Sequence, residues 1–136
     1  MAAGLQRAVA AAYATHGKPG AVTVSYPVRT VSEVNRRDHW ATKAKRTKDQ
    51  RNAARWELQR VNVGKLTAPV IVTLTRIAPR ALDDDNLRSA LKATRDGVAD
   101  LLEVDDRDPQ VTWRYGQEKG VPHYYGVRIE VERRNT

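Results

Sequence analysis

Apolar residues alternate with polar ones in some segments of the chain, which predicts strands, and recur every three or four residues in others, which predicts helices. Four strands are predicted, at 22–28, 70–77, 111–115 and 125–131. The second of them is apolar or threonine on both faces except at Arg76, which is typical of a central strand. The loop 116–122 contains glycine and proline, so the last two strands are predicted to form an antiparallel hairpin.

Three helices are predicted from helical spacing, within 1–20, over 38–61 and over 85–102. The middle helix has a thin, alanine-rich apolar stripe, and its Trp40 and Trp56, with Trp113 further on, are expected to lie in the core. The order of elements is therefore α-β-α-β-α-β-β, without an internal repeat or linker. We expect one α+β domain over 1–136, built on a mixed sheet of about four strands with two main helices and an N-terminal helical extension, 1–20.

Composition narrows the class of protein. The 136 residues include no cysteine, which excludes a disulfide scaffold, a thiolate metal site and a cysteine nucleophile. Hydrophobic residues make up 40%, too many for a disordered chain, and the apolar runs are far too short to span a bilayer. The formal net charge of +8 favours a polyanionic partner, either nucleic acid or an acidic membrane surface. A cytoplasmic protein is expected.

The charge is divided between two parts of the chain. From Arg36 to Lys65, ten lysines and arginines accompany three acids and leave +7, whereas from Asp83 to Asp108 nine acids accompany four bases and leave −5. An ordinary solvated surface mixes its signs over short distances. The division therefore indicates that one segment contacts phosphates and the other concentrates carboxylates, as expected if the carboxylates hold cations.

The basic segment coincides with the predicted helix 38–61, on which Lys45, Lys48 and Arg55 share one face. A solvated helix face is one interpretation and phosphate contact is the other, and the concentration of charge favours the second. The candidate nucleic-acid contacts are Arg36, Arg37, Lys43, Lys45, Arg46, Lys48, Arg51 and Arg55. No P-loop or dinucleotide fingerprint is present, so no nucleotide cofactor is expected.

The acidic segment begins with Asp83-Asp84-Asp85-Asn86-Leu87, between a predicted strand and a predicted helix. One interpretation is helix capping, tested at Asp85, because an aspartate there accepts a backbone N–H and suits the positive helix end. The other is a metal site, because adjacent carboxylates repel one another and Mg²⁺ prefers hard carboxylate oxygens. The residues alone leave both interpretations open.

A second acidic group, Asp105-Asp106-Arg107-Asp108-Pro109, follows the same predicted helix. A turn is its simplest interpretation, since aspartate and Asp-Pro both favour reversals. A helix of 17 residues is about 25 Å long, so the two acidic groups lie at opposite ends of it unless the chain folds back after Leu102. A break near Gly97 is one way in which the segment could double back.

These acidic residues together resemble the motif of the RusA-like Holliday junction resolvases. The matching residues are Asp83, Asp85, Asn86 and Leu87, then Lys92, Asp96 and the Asp105-Asp106 pair. The resemblance covers most of the chain, from about Val22 to Val131. It implies a small, basic, homodimeric endonuclease of bacterial or phage origin that uses Mg²⁺, with Mn²⁺ as a possible substitute, to nick four-way DNA junctions.

The resemblance also implies roles for individual residues. Asp83, Asp85 and Asp106 would bind the metal, with Asp105 beside them, and Lys92 would be catalytic. One departure from the family pattern stands at Ser89, where the family usually has its lysine, and Lys92 comes three residues later on the same helix face.

Three functions stay open at this point. The first is an active endonuclease that nicks branched DNA by metal-assisted phosphodiester hydrolysis. The second is a catalytically impaired relative that binds branched DNA without cutting it, and the third is a phosphoesterase for small substrates. A membrane partner is not expected for any of them.

Overall fold

The computed structural model describes residues 21–32, 39–61 and 68–134. The predicted N-terminal helix and the candidate contacts Arg36 and Arg37 lie outside the described residues. The elements are β1 (Ala21–Pro27), α1 (Trp40–Arg60), β2 (Val70–Ala78), α2 (Asp84–Ala90), α3 (Lys92–Leu102), β3 (Val111–Lys119) and β4 (Gly126–Arg133). The prediction of an α+β fold on a mixed four-stranded sheet is confirmed.

The sheet has the order β1-β4-β2-β3, in which β4 is antiparallel to β1 and β2, and β2 is parallel to β3. The predicted hairpin between β3 and β4 is wrong, because β2 lies between them. The cause is the apolar face of β4, whose Val127, Ile129 and Val131 are fully buried, so this strand occupies the interior of the sheet. On β3 only Val111 is buried, and the strand takes the edge.

The core lies on one face of the sheet, under the helices. Val24 of β1, Ile129 of β4 and Leu74 of β2 are register partners or neighbours, and none of their surface is exposed. The helices contribute apolar residues to the same cluster: Ala54, Leu58, Leu87, Leu91 and Val98. No helix in the described part of the chain is both long enough and apolar enough to cross a membrane.

The predicted helix 85–102 is two helices, α2 and α3, which meet at Leu91. The side chain of Leu91 is completely buried, so the break is anchored in the core. The prediction of a break near Gly97 is wrong, because α3 continues through that residue. Gly97 instead marks the place where α1 crosses α3, and a Cβ atom there would lie 2.2 Å from the carbonyl oxygen of Arg51.

Two of the three tryptophans do not lie in the core as predicted. Trp40 is 76% exposed and Trp56 is 62% exposed, whereas Trp113 is half-buried against the core. On α1 the buried positions are Gln50, Ala54 and Leu58, so the helix presents a narrow face to the core and both tryptophans fall outside it.

We predict that Gly97→Ala destabilises the protein, because the backbone of α1 leaves no room for a Cβ atom. Overpacking of this kind costs about 1–3 kcal/mol, which urea unfolding would measure. Gly116→Ala is the matched control, since its Cβ would meet only the hydroxyl of Thr75, at 3.3 Å. Equal stability of Gly97→Ala and the wild-type protein would contradict the close crossing of α1 and α3.

Candidate functional site

Asp83 is the residue that caps α2. Its carboxylate accepts a hydrogen bond from the backbone N–H of Asn86 at 2.9 Å, and Asp84 and Asp85 lie in the first turn, at the positive helix end. The capping interpretation is therefore confirmed for Asp83. It was placed on the wrong residue at Asp85, because the helix begins at Asp84, one residue earlier than predicted.

The carboxylates of Asp83, Asp84 and Asp85 are exposed, and none of them forms an ion pair with another described residue. They stand at one end of an open cleft of about 480 Å³ between α2 and β3. The lining residues are Asp84, Leu87, Arg88, Trp113, Arg114 and Tyr115. Aromatic rings and two arginines thus face solvent next to the first acidic group.

Asp106 of the second acidic group lies beside two cations. Its Oδ2 is 3.5 Å from Nζ of Lys92 and 3.5 Å from Nε of Arg95, and Lys92 also donates to Asp96 at 2.6 Å. An 11-residue helix is about 16 Å long, so Lys92 meets Asp106 only because the chain reverses at Glu103, in the left-handed conformation (φ 57°). The fold-back that the sequence required is present.

These contacts fix the charges of the cluster. Burial acts to raise the pKa of the Asp106 carboxyl, but Lys92 and Arg95 outweigh it and hold that pKa below its ordinary value. The hydrogen bond to Asp96 raises the pKa of the Lys92 ammonium. Both groups are therefore charged at neutral pH, and Lys92 acts as a fixed positive charge and not as a base.

Arg95 holds the second acidic group against β3. It donates to the backbone oxygen of Asp106 at 2.6 Å and to the hydroxyl of Tyr115 at 2.8 Å, and its guanidinium lies 4.5 Å from the centre of the Trp113 ring. Trp113 Nε1 donates to the same oxygen of Asp106 at 3.0 Å. The position of Asp106 is thus determined by the edge strand as well as by α3.

Asp105 has a different surrounding. Its Oδ1 accepts a hydrogen bond from the backbone N–H of Arg107 at 2.9 Å, and Asp108 accepts one from Gln110 at the same distance. The turn interpretation of this segment is confirmed for these two side chains.

The two acidic groups lie at different heights on β3. Gln117 exchanges two hydrogen bonds with the backbone of Leu82, next to Asp83, whereas Trp113 bonds Asp106. Four residues of strand separate these points by about 13 Å. Among the described residues, no three acidic or histidine side chains are close enough to hold one metal ion.

Carboxylate oxygens fit Mg²⁺ or Mn²⁺ by donor type, and the unpaired carboxylates of Asp83 and Asp85 meet that requirement. Asp106 is engaged by Lys92 and Arg95 instead. A ligand set that joins all three aspartates stays a prediction.

The predicted basic face on α1 is exposed, at Lys45, Lys48 and Arg55. Lys45 forms an exposed ion pair with Asp49 at 2.7 Å. Arg51, another candidate contact, is held by Asp100 of α3 through two hydrogen bonds of 2.6 and 2.8 Å, so its charge is partly neutralised. Of the other candidates on this helix, Lys43 is exposed and Arg46 is half-buried.

Sequence reasoning missed the arginines that organise these surroundings. Arg95 bears no motif, and its role depends on the reversal after α3, which only the fold supplies. Arg76 was visible as the single charged residue in a strand that is otherwise apolar or threonine, and the structure buries it.

Comparison with known proteins leaves the family open. No family model matches the chain. A protein of Xylella fastidiosa (strain Temecula1 / ATCC 700964), named as an uncharacterized protein, is 35% identical to this chain over 95 residues. The alignment covers 63% of this chain and 60% of that relative, so the chain spans less than two thirds of the relative's length. The resemblance to the RusA-like resolvases stays a prediction.

We predict that Asp106→Asn and Asp85→Asn have different effects on stability in EDTA at neutral pH. Asp106→Asn removes a charge that two cations attract, and we expect a loss of roughly 0.5–1 kcal/mol in the free energy of unfolding. Asp85→Asn removes a charge without a cationic partner among the described residues and should leave stability nearly unchanged. Urea unfolding of both variants is the measurement.

The pH dependence gives a second check on the Asp106 pair. Because the folded-state pKa of Asp106 is lowered, its stabilisation is fully present above the ordinary aspartate pKa of about 3.9 and is lost as pH falls through the lowered value. The difference between wild type and Asp106→Asn should therefore disappear in acid. A difference that is constant from pH 7 down to strongly acidic pH would contradict the ion pairs.

Proposed function

We propose that this protein is a Mg²⁺-dependent endonuclease that nicks four-way DNA junctions, and that it acts as a homodimer. The observation that carries the proposal is the contact of Lys92 with Asp106 at 3.5 Å. It brings together the lysine and the second acidic group of the RusA-like pattern, which are 14 residues apart in sequence. The exposed basic face of α1 and the net charge of +8 support a DNA partner.

In this proposal Mg²⁺, held by Asp83 and Asp85 and completed by Asp106 or Asp105, supplies a water of lowered pKa and neutralises charge on the scissile phosphate. Lys92, kept protonated by Asp96, supplies a positive charge for the transition state or the leaving oxygen. Arg95 positions Asp106 from behind. The basic face of α1 binds phosphates without regard to sequence.

A specific observation favours the alternative of a branched-DNA-binding protein without nuclease activity. Lys92 stands three residues beyond the position of the family's lysine, and its ammonium is engaged by Asp96 at 2.6 Å. The three aspartates are not gathered around one point in the described residues. A protein of this kind would bind junctions tightly and leave them intact.

We predict paired, symmetric nicks in a labelled four-way junction with Mg²⁺ and none with EDTA. Lys92→Ala should lower the rate of nicking by roughly 100-fold or more while junction affinity changes little, because its contact matters in the transition state. Arg133→Ala is the control, as an exposed cation at the far end of β4. Junction binding without nicking at any Mg²⁺ concentration would contradict the endonuclease and support the binding protein.

We also predict that the affinity for junction DNA falls steeply with salt. Arg55→Gln and Lys48→Gln should each weaken binding and reduce the slope of log affinity against log salt by about 0.9, since each removes one released counterion. Arg133→Gln removes the same charge away from α1 and should leave the slope unchanged. Equal slopes for all three variants and the wild type would exclude the α1 face from the interface.

A further inference from the structure

Arg76 is a buried cation on the core face of β2. Only 7% of its surface is exposed, and its register partners are Val127 on β4 and Gln117 on β3. Its Nε donates to the hydroxyl of Thr30 at 3.1 Å, and its Nη1 donates to the backbone oxygen of Arg80 at 2.8 Å. Both acceptors are uncharged, so neither neutralises the guanidinium.

The charge of Arg76 is uncompensated within the described residues, where no carboxylate forms an ion pair with it. Burial lowers the pKa of its guanidinium, and nearby Arg29 acts in the same direction. An arginine nevertheless stays protonated in proteins, so the fold bears the cost of a desolvated cation. A buried cation of this kind is normally paired or bound to a ligand.

Two further arginines stand at the same place. Arg29 and Arg80, both exposed, line an open cleft of about 280 Å³ together with Arg76 and Thr30. A second cleft, of about 330 Å³, adjoins it across the shared residues Arg76, Pro79 and Arg80. Three guanidinium groups thus converge on a concave surface that water and small anions can enter.

The backbone around this cleft is fixed by specific contacts. Gln50, a buried residue of α1, donates to the backbone oxygen of Arg29 at 3.2 Å, and the Arg29 guanidinium lies 4.6 Å from the centre of the Tyr125 ring. Thr30 is 2% exposed. The cleft is therefore held in place by α1, the 28–32 segment and the end of β2, and its arginines are largely pre-organised.

We propose that this cleft is a binding site for a phosphate group, held by Arg76 with Arg29 and Arg80. Guanidinium groups present planar pairs of N–H donors that match phosphate oxygens, and a buried guanidinium gains most from an anion because little water competes. The motif residues of the sequence and the proposed catalytic groups do not include any of these three arginines.

The site adjoins the first acidic group. Ser32, which lines the cleft, donates to the side chain of Asn86 on α2, and Leu82, also in the lining, directly precedes Asp83. If the protein cuts DNA as proposed above, the cleft would hold a backbone phosphate next to the scissile one. That assignment to DNA rests on the proposed function, whereas phosphate binding itself does not.

Titration with inorganic phosphate, at matched ionic strength in chloride, tests the site. The melting temperature of the wild type should rise with phosphate, because binding to the native state stabilises it. Arg76→Met should lose this rise, and phosphate affinity measured by calorimetry should fall roughly ten-fold or more. Arg133→Met, exposed at the opposite end of the sheet, should respond like the wild type.

Two more variants keep the test valid if Arg76→Met folds poorly. Arg29→Gln and Arg80→Gln change exposed side chains, and each should weaken phosphate binding with little effect on the melting temperature in chloride. A wild type that responds equally to phosphate and chloride would overturn the proposal. A phosphate response that all three arginine variants retain would overturn it as well.

The source of the phosphate is distinguished by the probe. A dinucleotide with a single phosphodiester tests a DNA backbone phosphate, and the same dinucleotide with a 5′-phosphate tests a terminal phosphate. Binding of the first supports the assignment to DNA, and binding of the second alone supports a phosphomonoester ligand. None of these readouts requires cleavage, so a failure here is separate from a failure to nick a junction.

Discussion

The position of β4 in the interior of the sheet determines most of the remaining architecture. Val127, Ile129 and Val131 are completely buried because β1 and β2 flank this strand on both sides. With β4 in that place, β3 pairs only with the other edge of β2, and the pairing is parallel. Parallel neighbours need a long crossover, and the segment from 79 to 110 provides it.

That crossover contains the whole acidic part of the chain. It leaves the sheet at the end of β2, next to Asp83, and returns at the start of β3, after Asp106. The break at Leu91 and the reversal at Glu103 shorten its path, so Lys92 meets Asp106 although a helix separates them. The topology thus accounts both for the cluster around Asp106 and for its distance from Asp83.

The fold class and most element positions could be predicted from the sequence, because alternation and helical spacing are local signals. Strand order could not, since the choice between pairing β4 with β3 or inserting it beside β2 depends on how much apolar surface each position buries. The helix break was misplaced for a similar reason. Gly97 is a natural breaker by propensity, but here it serves the close crossing with Arg51 of α1, which is a tertiary effect.

The candidate site shows the same limit. The acidic residues and the basic face of α1 were identified from charge alone, yet their partners were not. Asp83 carries the cap that was sought at Asp85, and Arg95, which has no motif, positions Asp106. These are contacts between residues whose proximity follows from the reversal of the crossover, and no spacing in the sequence encodes it.

The distribution of charge in the fold adds a last constraint on function. The carboxylates of Asp83 and Asp85 are unpaired on the surface, while Arg76, a few residues earlier, is unpaired in the interior. A fold selected for stability alone would pair such charges with each other or replace the buried arginine by an apolar residue. Unpaired acids beside unpaired arginines are instead what a phosphate ester and its accompanying cation require together. The arginines attract the phosphate oxygens, the carboxylates attract the cation, and each interaction lowers the electrostatic cost of the other.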